Sequence, residues 1–168
     1  MSMACTGQSR WRALRRWRPA WPALLIAFAL LGSAVAATNE RVVADRHSGL
    51  ALWGYDPVAY HLEGAARQGS AKYELAHANV VWRFVNAGNL AAFKEAPDDY
   101  MPAFGGHDPS AVARKAAVPG NPEVFAVWSG RLLLFRNEAS RERFFTDPAN
   151  AFRAAESGWD EAARTLPR

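Results

Sequence analysis

The chain has 168 residues, half of them apolar, and 20 Lys+Arg against 16 Asp+Glu give it a formal charge of +4. Five arginines and no acidic residue fall in residues 1–36, so the remainder carries 15 basic against 16 acidic residues and a net charge of −1. That balance excludes a basic patch for nucleic acid or an anionic membrane surface, and the only cysteine, Cys5, leaves no disulfide framework, thiolate metal site or cysteine nucleophile beyond it.

Residues 1–37 read as a signal peptide. Arg10, Arg12, Arg15, Arg16 and Arg18 form a basic start, Leu24 to Leu31 an apolar centre, and Gly32-Ser33 breaks it before Ala34-Val35-Ala36-Ala37. A basic start, a short apolar run and a small-x-small exit define an export signal. The competing reading is an uncleaved membrane anchor, which needs about 20 apolar residues. The run is slightly short and holds Pro22 near its start. The expected location is therefore periplasmic or secreted, with membrane contact only through an uncleaved leader.

Residues 38–50 read as an extended lead-in, and about 130 residues beyond the leader suffice for one domain with its own core. Tyr73 to His77 and Val80 to Phe84 flank Ala78-Asn79, the pattern of a hairpin. Val124 to Trp128 and Arg131 to Phe135 flank Ser129-Gly130 in the same way, 51 residues later. Phe84, Asn86, Phe93 and Pro97 recur as Phe135, Asn137, Phe144 and Pro148. Gly54-Tyr55-Asp56-Pro57 recurs as Gly106-His107-Asp108-Pro109, at an offset of 52. Asp-Pro predicts a helix cap followed by proline in the first turn. Asn86 and Asn137 are the expected caps of later helices. The fold class is α+β, a single compact domain over 51–160 made of two repeated hairpin-plus-helix units, about 54–100 and 106–152. A last helix is expected from Asp147-Pro148 to about Glu156, with Gly158 as its stop. Residues 161–168 read as a frayed tail.

At these residues the chain resembles the YHS-domain family. The matching pieces are Gly54-Tyr55-Asp56-Pro57-Val58-Ala59-Tyr60, Tyr73, Trp82-Arg83-Phe84, Asn89, Phe93, Pro97, Tyr100 and Pro102 to Gly106. Asn121-Pro122 through Gly130-Arg131-Leu132 resembles the second half of exported members. The resemblance implies metal binding, copper foremost, through cysteines. Those cysteines fall at Ala59, Val85 and Asn89 here, and a further one of exported relatives at Asp108, so the usual family ligands are absent.

Other donors are then considered. If the two Gly-x-Asp-Pro turns meet, His61, His107, Asp56 and Asp108 share a neighbourhood, and imidazole with carboxylate suits a copper or zinc ion. Against this, Asp56 and Asp108 read first as helix caps, whose oxygens are already engaged. His47 and His77 have no metal-motif spacing. Tyr55, Tyr60, Tyr100 and Phe104 form the alternative, a surface for a ligand or a periplasmic protein partner. No phosphate loop, dinucleotide fingerprint or Gly-x-Ser-x-Gly element occurs. The expected role is non-catalytic binding, with metal handling first, a metal-free partner module second and a hydrolytic or redox enzyme last.

Overall fold

The computed structural model describes residues 41–166. The segment read as a signal peptide, 1–37, lies outside them. Among the described residues no helix is long and apolar enough to cross a membrane.

The architecture is α+β. A left-handed turn at Leu52–Gly54 leads into helix α1 (Pro57–Leu62), strands β1 (Ser70–His77) and β2 (Val80–Phe84), and helices α2 (Ala87–Glu95) and α3 (Pro97–Tyr100). The same order follows: a turn at Ala103–Gly106, α4 (Pro109–Val112), β3 (Asn121–Trp128), β4 (Arg131–Phe135), α5 (Glu138–Thr146) and α6 (Pro148–Arg164). Each hairpin is a two-stranded antiparallel sheet. Ala78-Asn79 and Ser129-Gly130 all have positive φ, as tight hairpin turns require.

Register recurs with order. Ser70 faces Phe84 and Glu74 faces Arg83, while Asn121 faces Phe135 and Phe125 faces Leu134. Each outer strand therefore bulges over three residues that lack a partner. In β3 these are Pro122, Glu123 and Val124. Bulges re-aim side chains and are frequent near functional sites.

The core forms two clusters, and β4 lies between them. Leu132 and Leu134 join Leu52, Val58, Tyr60, Trp82, Phe84 and Phe93. Leu133 and Phe135 join Phe104, Val112, Phe144, Ala155 and Ala162. Alternate strand residues point to opposite faces, so a strand buried on both reads as an unbroken apolar run. β2 has Arg83 on its outer face, and that arginine pairs with Glu74 at 2.8 Å.

The lead-in packs on the domain: Val42 and Val43 are buried, and Val43 N–H donates to Gly105 O at 2.7 Å. One boundary expectation is corrected. The last helix does not stop at Gly158. Asp147 caps it, Pro148 opens it, and it runs to Arg164, absorbing part of the expected tail. Gly158 is buried where α6 crosses α4, and a Cβ there would lie 2.2 Å from Val112 O. The glycine permits close packing and does not end the helix.

Candidate functional site

Asp56 and Asp108 are structural. Asp56 is fully buried. Its Oδ1 accepts from Val58 N–H at 2.8 Å and Ala59 N–H at 3.3 Å. Its Oδ2 accepts from Val85 N–H at 2.8 Å and Asn89 Nδ2 at 2.7 Å. Asp108 repeats the arrangement with Ser110 N–H at 2.8 Å, Ala111 N–H at 3.1 Å and Arg136 N–H at 2.8 Å. Each carboxylate thus caps a helix with one oxygen and fastens the end of a strand with the other. Such charge-assisted bonds are the strong ones, and they commit the oxygens that metal ligation would use.

The two histidines occupy different surroundings. His61, in the last turn of α1, meets Tyr100 edge-on with ring centroids 5.5 Å apart. Its Nε2 is buried without a hydrogen-bond partner. His107 is buried with Nδ1 2.9 Å from Phe104 O and its ring 5.8 Å from that of Trp159. Among the described residues no three His, Cys, Asp or Glu side chains gather as a metal site, so the expected set of His61, His107, Asp56 and Asp108 is not assembled.

Burial holds the His61 pKa below its ordinary 6.5, against an opposing pull from Asp99. A histidine held neutral by the fold makes stability fall as pH drops below the unfolded value, because the unfolded chain takes up the proton first. The urea midpoint is therefore expected to fall between pH 7 and pH 5, with a shallower fall in His61→Phe. Equal slopes in the two proteins would contradict this origin.

The aromatic surface is also corrected. Tyr60 is 1% exposed, and its hydroxyl donates to Pro122 O at 2.9 Å. Phe104 is 8% exposed and lies against Phe152 and Trp159 of α6. Both are core residues. Tyr100 is half-buried against His61. Of the four, Tyr55 lines an open groove.

That groove has a volume of about 400 Å³ and is lined by Trp53, Tyr55, Pro119, Gly120, Asn121, Pro122, Glu123 and Arg136. The first half supplies the aromatic residues and the second half the polar ones. Tyr55 Oη donates to Glu123 Oε1 at 2.8 Å across the junction. That bond is the main reason the Tyr55 pKa is raised. The bulge projects Glu123, and Tyr60 holds the bulge from beneath through Pro122. Arg136 follows Phe135, the partner of Asn121, which brings its exposed side chain to the same groove. Among the described residues no carboxylate pairs with the Arg136 guanidinium, and neither Trp53 nor Tyr55 stacks on another aromatic ring.

Trp53 stands at φ 54° and ψ 28°, between Leu52 and Gly54, which also have positive φ. A non-glycine residue held there costs about 1–3 kcal/mol. Leu52 is fully buried and gains packing in the same conformation, whereas Trp53 is 38% exposed. In the second half the matching position is Gly105, at φ 60°, which adopts the conformation freely. A strained, part-exposed tryptophan on a groove is thus a functional candidate. Sequence reading did not single out Trp53, Glu123 or Arg136. The available signals were a Trp where the repeat has Gly and the turn-dense Pro119-Gly120-Asn121-Pro122.

Comparison with family models, curated proteins and solved structures returns no match to this chain.

Proposed function

We propose that this is an exported, non-catalytic binding protein of the YHS kind, acting in the periplasm or outside the cell through the Trp53–Arg136 groove. The observation that carries the reading is the exposed Trp53, held in a strained conformation on the same groove as an arginine that has no carboxylate partner among the described residues. The groove volume falls within the range of ligand pockets, which combine aromatic walls with a few placed polar groups. The engaged oxygens of Asp56 and Asp108 favour a ligand or partner role over copper or zinc handling.

A fragment library screened by amide NMR on the purified protein tests the proposal. Hits are expected to shift Gly120, Asn121, Glu123 and the Trp53 indole together, and their affinity is expected to fall at least about 10-fold in Trp53→Ala, as truncation of an aromatic anchor does. Hits confined to other surfaces would count against the groove.

A further inference from the structure

The proposed binding role leaves the ligand's chemistry open, and the groove narrows it. Its two formal charges are opposite in sign and belong to exposed side chains, Glu123 and Arg136. They do not pair: among the described residues Glu123 receives the Tyr55 hydroxyl, and no ion pair joins it to Arg136. Two unpaired opposite charges in one groove complement a ligand that also carries both. The aromatic residues sharpen this. Trp53 is 38% exposed and has no ring partner among the described residues, while Tyr55, half-buried against the core, turns its hydroxyl edge to the groove. An indole face is the strongest aromatic site for an organic cation, and quaternary ammonium groups are recognised in this way. Glu123, bonded to the edge of Tyr55, adds negative charge on the same side. Arg136 offers a planar fork suited to a carboxylate or phosphate. Asn121 and the prolines supply a rim without further charge.

Resting on the groove as the binding surface, we infer that its ligand class is a small zwitterion: a quaternary or alkylated ammonium joined by a short linker to a carboxylate or phosphate. The ammonium sits against Trp53 and Tyr55 beside Glu123, and the anionic group meets Arg136. Gly120 lets this wall of the groove pack directly on β4, where a Cβ would lie 2.5 Å from Leu134 Cβ. A second copy of the chain or a proline-rich peptide would use the aromatic residues but would not need both charges.

The test titrates the purified protein with glycine betaine and phosphocholine, alongside choline as the cation alone and acetate and inorganic phosphate as the anions alone. Tryptophan fluorescence and amide NMR report binding. A zwitterion is expected to bind at least about 10-fold more tightly than either half, because joining two weak contacts makes the second intramolecular. Glu123→Gln is expected to weaken the zwitterion and choline but not the anions. Arg136→Ala is expected to weaken the zwitterion and the anions but not choline. Both side chains are exposed, and amide spectra check that each variant is folded. Equal affinity for zwitterion and halves, or insensitivity to both variants, would overturn the zwitterion assignment. If the fragment library still reports on the groove in that case, the binding role stands without it. Silence from the panel and the library together would overturn both.

Discussion

Asp56→Ala is expected to lower the unfolding free energy by about 3–5 kcal/mol, the loss that follows from stranding several buried donors at about 1–3 kcal/mol each. The reason lies in what the substitution strands. The N–H groups of Val58, Ala59 and Val85 and the Asn89 amide all lose an acceptor, and an orphaned buried donor costs about 1–3 kcal/mol. That is a large share of a typical domain stability of about 5–15 kcal/mol. Asp56→Asn is expected to fail too, since its amide would face two donors where Oδ2 now accepts. Asp108→Ala is expected to cost less, because Ser140 stands where Asn89 stands in the first half and bonds Ser110 Oγ at 3.3 Å instead of the carboxylate. Urea denaturation measures the ranking. A neutral Asp56→Ala, or a larger loss at Asp108, would contradict the fastening role.

The second large effect has an unusual sign. Gly158→Ala lies well inside a helix, where alanine ordinarily gains about 1 kcal/mol over glycine. Here the added Cβ would meet Val112 O at 2.2 Å and Ala113 Cα at 3.3 Å. Backbone cannot yield as a flexible side chain does. Forcing α6 away from α4 is expected to lower stability by about 1–3 kcal/mol net, the usual penalty of overpacking. A stabilised variant would show that α6 and α4 do not touch at this point.

These two positions also mark what the sequence made legible. The Asp-Pro pairs of the two Gly-x-Asp-Pro turns predict capped helices, and both caps are present. The hairpins and the α+β class follow from alternation and turn chemistry, which are local. The second job of each Asp, fastening a strand end 28 or 29 residues away, is a tertiary bond with no local signature. Gly158 shows the converse failure. A glycine near an expected helix end reads as a stop, and only the approach of α4 explains it as a contact. Tyr60 and Phe104 were misplaced for the same reason, because the bulge and α6 that cover them come from distant sequence. The groove was least legible of all. Glu123 reaches it through a bulge, Arg136 through strand register, and Trp53 through a left-handed turn usually made by glycine.

The most direct measurement is the affinity of the best groove fragment for the wild-type protein and for Trp53→Ala, taken with the urea midpoint of both. The account predicts at least about 10-fold weaker binding in the variant while its amide spectrum stays native outside the groove, because Trp53 serves the ligand more than the fold. Unchanged binding, or a variant that unfolds, would contradict it, since Trp53 would then be either irrelevant to the site or part of the core.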